Sequence, residues 1–209
     1  MRTIFVVTHP ESTHHVERKV GGWFDSQLTS EGLRAADSIA RTLRTAIPPD
    51  ANVQVCSSDL HRTVQTAVPI CAVLGGTPAL DSRFREKSYG RAEGKPQTWL
   101  DARFVPPPAF GTRLAHDEGI EGAETMETFA RRVYSAVDDV LRQNYDYQVI
   151  VTHGGVLTFV LAAWGGIPIE SLGYLRVQPR PGSITELHED DYFHNRQIVR
   201  LSDTGHLTN

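Results

Sequence analysis

The stretch IFVVTHPESTHHVERKVGGWFDSQL, from Ile4 to Leu28, decides how the rest of the chain is read. It opens with Ile4-Phe5-Val6-Val7, a continuous apolar run of the kind buried on both faces of a parallel sheet. His9 follows where that strand should end. Pro10 blocks further ladder pairing and biases its neighbour to extended geometry, so the histidine sits on a fixed turn. The carboxyl ends of strands are where open α/β sheets bind ligands. Far along the chain, Val149-Ile150-Val151-Thr152-His153-Gly154-Gly155 repeats the order of apolar strand, Thr, His and turn residue. Two histidines at two strand ends make one candidate site.

The segments between alternate in period. Thr29-Ser30-Glu31 is a plausible cap for the apolar stripe Leu33, Ala36, Ile39, Ala40, Leu43 and Ile47, and Pro48-Pro49 ends that helix. Val53 to Cys56 is a short strand. Ser57-Ser58-Asp59 offers capping oxygens to a helix running towards Gly75-Gly76, with Pro69 expected to kink it or begin a new turn. A short strand is expected near Pro78 to Leu80. Thr125 opens an amphipathic helix through Phe129, Val133, Ala136, Val137, Val140 and Leu141, and Val156 to Trp164 reads as a buried helix ending at Gly165-Gly166. Ser183 to His188 and Arg196 to Leu201 read as antiparallel edge strands joined by Glu189-Asp190-Asp191. The expected fold is α/β, three-layered, with a mainly parallel sheet covered by helices on both faces.

Composition narrows the class. The 209 residues, 40% hydrophobic and 22% charged, suit one domain over 1–209 with a cap-like excursion at about 91–124, where Pro106-Pro107-Pro108 and several glycines loosen the pattern. A net charge of -4 argues against nucleic acid or a membrane surface as partner. No apolar run approaches the roughly 18 residues of a membrane span, and no signal-peptide succession opens the chain, so a cytoplasmic location is expected. Cys56 and Cys71 read as reduced core residues.

On physical grounds His9, Arg62, Glu86 and His153 stand out, because each is flanked by turn or capping residues rather than lying on an apolar stripe. A histidine near neutral pH can act as nucleophile or proton carrier, and an arginine at a helix N-terminus offers a fork of donors to an anion. Taken singly, each has a blander reading: a satisfied strand-end histidine, a solvated helix arginine, a surface acid. His9, His14 and His15 lack the i, i+4 spacing of the familiar zinc motif and have no cysteine nearby, so no metal is expected.

The surroundings of these residues change the balance. Val7-Thr8-His9-Pro10-Glu11-Ser12 resembles the Arg-His-Gly-Glu-Ser/Thr signature of the histidine phosphatase superfamily, the phosphoglycerate mutase-like fold. Gly22-Trp23-Phe24-Asp25, Leu28-Thr29-Ser30-Glu31-Gly32, Ser57 to Ala67, Arg85-Glu86 with Tyr89-Gly90 and Glu93-Gly94, and Thr152-His153-Gly154-Gly155 follow in the family's order. The resemblance implies a phosphomonoesterase that needs no cofactor and works through a phosphohistidine. His9 would attack phosphorus and Glu86 would handle the leaving-group and water protons. Arg62, His153 and the Gly154 N–H would hold the phosphoryl oxygens.

The first motif departs from the family. Thr8 stands where the family has arginine, and Pro10 where it has glycine. An arginine to phosphate hydrogen bond contributes on the order of 1.5–3 kcal/mol, so its loss calls for compensation. His15 is the expected replacement donor at the phosphate, with Thr8 beside it. Tyr89, Arg85 and His14 are candidates for substrate contact, and Arg103, Arg113, His116 and Asp117 in the excursion for the leaving group. The leading function is hydrolysis of a small phosphorylated metabolite. Mutase-type transfer and non-catalytic binding of a phospholigand are the alternatives, and the edge strands are a candidate surface for a homodimer.

Overall fold

The computed structural model describes residues 2–207. Its sheet has six strands: β1 (Arg2–Thr8), β2 (Val53–Ser57), β3 (Ala79–Leu80), β4 (Tyr147–Thr152), β5 (Ile184–Glu189) and β6 (Arg196–Asp203). They lie in the order β3-β2-β4-β1-β5-β6. The first four are mutually parallel, whereas β5 runs antiparallel to β1 and β6 antiparallel to β5. Of the expected antiparallel pair of edge strands only β6 is an edge, since β5 is paired on both sides, and the opposite edge is the short β3.

Six α-helices accompany the strands: α1 (Thr13–Val16), α2 (Ser30–Ala46), α3 (His61–Leu74), α4 (Gln97–Asp101), α5 (Met126–Arg142) and α6 (Gly154–Trp164). The two-residue period of β1 sorts them into layers. Ile4 and Val6 join the core built with α5 and α6, around Phe129, Phe159 and Trp164. Phe5 and Val7 join the opposite core with α2 and α3, around Ile39, Leu43 and Ile70. Both faces of β1 are thus buried, as its unbroken apolar run requires. Cys56 and Cys71 are buried and free.

A third apolar cluster brings Val20, from the loop after β1, against Ala92, Leu100 and Ile120 of the excursion. The Lys87–Glu118 ion pair, at 2.6 Å with side chains only 4% and 11% exposed, adds a second tie. The excursion is therefore packed onto the loops that follow the strands.

Thr29 caps α2 as expected, accepting from the Gly32 N–H, and Thr125 caps α5 in the same way, accepting from the Thr128 N–H. The expected cap of α3 is different. Ser58 Oγ lies 2.9 Å from His153 Nε2, and Asp59 is paired with Arg85, so the His61 N–H donates to Asp25 Oδ1 at 2.6 Å instead. A cap supplied from 36 residues away leaves no local sequence signal. α3 also runs through Pro69 as one helix to Leu74. The short helices α1 and α4 were not expected, since neither is long enough to show a periodic stripe.

Loss of the remote cap is measurable. Asp25→Ala should lower stability by about 1 kcal/mol, seen as a shifted urea midpoint with an unchanged slope. An unmoved midpoint would mean that this contact adds nothing to α3.

Candidate active site

β1 and β4 pair in parallel with Thr8 opposite Thr152, so the residues that follow, His9 and His153, leave the sheet side by side. Their ring centroids are 5.1 Å apart. The His9 N–H donates to the Thr152 carbonyl at 2.9 Å, fixing the first turn after β1. His153 is the N-cap of α6, so Gly154 opens that helix with its N-terminus at the same place. The Thr152 hydroxyl donates to Phe84 O, holding the segment that carries Glu86 against the end of β4.

Arg62 lies in the first turn of α3 and is 1% exposed. Its guanidinium donates through Nη1 to Phe24 O (2.8 Å), through Nη2 to Gly22 O (2.7 Å) and through Nε to His9 Nε2 (3.2 Å). The backbone carbonyls of the Gly22-Trp23-Phe24 motif thus aim this arginine at the histidine. Glu86 is held as firmly. One carboxylate oxygen accepts from the Lys87 N–H and the other from the Gly155 N–H, each at 2.9 Å. Its own carbonyl accepts from Trp23 Nε1 and Arg132 Nη2. A β-carbon on residue 155 would stand 2.2 Å from Glu86 Oε1, so glycine is needed there for the carboxylate to approach.

His9 has one available role. Its Nδ1 is 2.8 Å from the Pro10 carbonyl, which can only accept, so Nδ1 carries the proton. The Nε2 lone pair is left facing Arg62. Burial first, then the charge on Arg62, push the His9 pKa well below the ordinary histidine value, so the ring is neutral. His153 is shifted the same way by burial and Arg62. It is fully buried, and its Nδ1 has no protein partner among the described residues. Arg62 itself is pulled by burial to about 10 and stays charged at neutral pH.

The neighbouring histidines differ from each other. His14 is buried, with Nδ1 between the Ser12 and Ser26 hydroxyls at 3.0 and 2.7 Å. His15 stacks over His9, with centroids 5.5 Å apart and planes 12° from parallel. The Ser12 N–H donates to its Nδ1 at 3.3 Å, which leaves Nε2 as the protonated, donating nitrogen of a neutral ring. Burial and Arg62 lower its pKa as well.

His9, Arg62, Glu86, Gly154, His14, His15 and Thr8 line one cavity of about 190 Å³. His153, fully buried, packs directly behind His9. Arg85 is not among the lining residues: its guanidinium is held by Asp59 in a two-pronged pair at 2.6 Å and covers Trp23, because the carboxylate is its nearer partner. Tyr89 lines a larger adjoining cavity of about 660 Å³, which shares Glu86, Gly154 and Pro179 with the first. Of the expected excursion contacts, Arg113 lines that cavity. Arg103 stacks on Trp99, His116 binds Val105 O and Asp117 binds the Gly119 N–H, so these three serve the excursion itself. Ser58, Lys87, Arg132 and Arg180 were missed. Ser58 alone had a local signal, in its position before α3.

His14 titrates against the fold. Burial, then His15 and Arg62, lower its pKa from 6.5 to about 3. Its neutral form stabilises the folded chain fully above the unfolded value of 6.5, and that contribution is lost as pH falls towards 3. Between pH roughly 5 and 6, His14→Asn should reduce the pH slope of the unfolding free energy by an amount approaching one proton, about 1.4 kcal/mol per pH unit. Denaturant titrations giving the same slope in both proteins would contradict a neutral, buried His14.

The profile of the histidine phosphatase superfamily (branch 1) matches residues 4–204. A probable phosphoglycerate mutase GpmB of Yersinia pestis (strain Pestoides F) is 29% identical over 214 aligned residues, covering 99% of this chain and 95% of the relative. A mycobacterial glucosyl-3-phosphoglycerate phosphatase, solved with VO3, superposes with a TM-score of 0.77 at 23% identity over 98% of this chain and 100% of that one. A putative alpha-ribazole-5'-P phosphatase from Escherichia coli superposes at 0.72 with 18% identity, covering 98% of each chain. With strand ends, cavity and full-length family profile in agreement, this chain belongs to the histidine phosphatase superfamily, branch 1.

Proposed function

We propose that this protein is a phosphomonoesterase that hydrolyses a small phosphorylated metabolite through a phosphohistidine, without a metal. The observation that carries the reading is the clamped His9 ring: Nδ1–H bound to Pro10 O, and Nε2 turned to Arg62 inside the cavity that also holds Glu86. His9 Nε2 attacks phosphorus and the ester oxygen leaves with a proton from Glu86. Water then attacks the phosphohistidine while Glu86 takes its proton, regenerating both groups. Arg62, the Gly154 N–H at the start of α6 and the His15 Nε2–H surround the phosphoryl oxygens, and His153, expected among them from the sequence, lies buried behind His9 and backs the nucleophile instead. Groups positioned in advance supply most of the rate in such transfers.

The leaving group occupies the larger cavity. Tyr89, Phe104, Met126 and Tyr174 give it an apolar and aromatic lining, and Arg113 and Arg176 give it positive charge. That combination suits an extended organic group bearing polar or anionic substituents. Structural relatives named for glucosyl-3-phosphoglycerate and alpha-ribazole phosphate support a small metabolite as substrate. The relative named as a probable phosphoglycerate mutase keeps a second reading in view, in which the phosphoryl group returns to another hydroxyl of the substrate.

The test is phosphate release from a panel of phosphomonoesters in excess chelator. Wild type should retain its rate, and His9→Ala should lose a factor on the order of a thousand or more. Isomerised phosphoester with little free phosphate would favour the mutase reading. Chelator-sensitive turnover, or full activity in His9→Ala, would contradict the proposal.

A further inference from the structure

We propose that Arg180 supplies the phosphate-binding charge that the first motif lacks, so that the arginine absent at position 8 has been moved to the turn before β5. The inference rests on the phosphomonoesterase reading above, because it assigns the ligand of the same cavity.

Charge counting creates the need. A phosphomonoester near neutral pH carries a charge of about -1.5 to -2. The histidines of the site are neutral, and the cations lining the small cavity are Arg62 and Arg180, opposed by Glu86. Three of the five Arg62 N–H donors are already engaged by Gly22 O, Phe24 O and His9, which leaves one on each Nη for the phosphoryl group. Arg180 sits at the cavity wall with an exposed side chain, available to turn onto an anion.

Both residues that depart from the family signature contact the Arg180 turn. Thr8 Oγ1 donates to the Arg180 carbonyl at 2.9 Å, a contact that the long side chain of an arginine would not reproduce. The Thr8 N–H donates to Ser183 O, and the Gly182 N–H is shared between the Thr8 and His9 carbonyls, each at 3.1 Å. Pro10 packs on the same turn: a β-carbon at Gly182, whose φ is +75°, would lie 3.6 Å from the Pro10 ring. Pro179 and Pro181 flank Arg180 and restrict its backbone, while its N–H is held by Ser202 Oγ at 2.8 Å. Position 8 has thus exchanged a phosphate ligand for an anchor, and the anchored turn carries the arginine.

The direct experiment is calorimetric binding of inorganic phosphate at low salt, a readout that needs no turnover. Arg180→Ala should weaken binding about ten- to a hundred-fold, with Arg180→Lys recovering part of the loss. Thr8→Val, which removes the hydroxyl anchor, should weaken binding less. It should add little on top of Arg180→Ala, since it acts through that side chain. Phosphate affinity in Arg180→Ala within about twofold of wild type would overturn the proposal, as would fully additive losses for the anchor role of Thr8. Phosphate binding that depends on Arg180 in a protein with no esterase activity would support this inference while refuting the phosphomonoesterase reading. Normal esterase turnover and phosphate affinity in Arg180→Ala would do the reverse.

Discussion

The parallel ladder between β1 and β4 is the constraint on which the rest depends. Pairing Thr8 with Thr152 brings two strand ends to the same level, so that chain segments separated by most of the sequence deliver His9 and His153 side by side. A slip of one residue would turn every side chain of β1 to the other face, exchanging Ile4 and Val6 with Phe5 and Val7 between two differently shaped cores. The packing of α2 and α3 on one face and α5 and α6 on the other therefore defends the register of the site as well as the stability of the sheet.

Around those strand ends the protein concentrates neutral imidazoles on one deeply buried guanidinium. Burying an isolated arginine would cost several kcal/mol, and the offset comes from the Gly22 and Phe24 carbonyls and from the carboxylates of Glu86, Asp25 and Glu93. Burial, reinforced by the charge of Arg62, keeps His9, His14, His15 and His153 unprotonated. A neutral His9 is what a nucleophile requires, so fold stability and chemistry ask for the same protonation state. Asp25 takes part twice, by capping α3 and by offsetting the arginine that this helix carries.

Much of this was legible in the sequence, for identifiable reasons. The strands at Ile4 and Val149 show as apolar runs because they are covered on both sides, and α5 shows because its helical stripe faces only one core. His9, Arg62 and Glu86, which the structure gathers into one cavity, could be picked out because turn and cap residues surround them. What stayed hidden depends on contacts between distant segments. Asp25 gives no sign that it caps a helix beginning at His61, and Arg85 gives no sign that Asp59 will claim it. The Pro179-Arg180-Pro181 run reads as an ordinary loop until the Thr8 hydroxyl and Pro10 are found against it. The departure at Thr8 is visible from the first motif, but the turn that its hydroxyl holds is not.

The central claim is that His9 Nε2 accepts the phosphoryl group. Rapid acid-free quenching during turnover of a phosphomonoester, followed by peptide mass analysis, tests it most directly. The account predicts one acid-labile phosphoryl group on the peptide containing His9, attached at Nε2 because Nδ1 is committed to the Pro10 carbonyl. Turnover with no phosphorylated enzyme, or with the phosphoryl group on another residue, would contradict it.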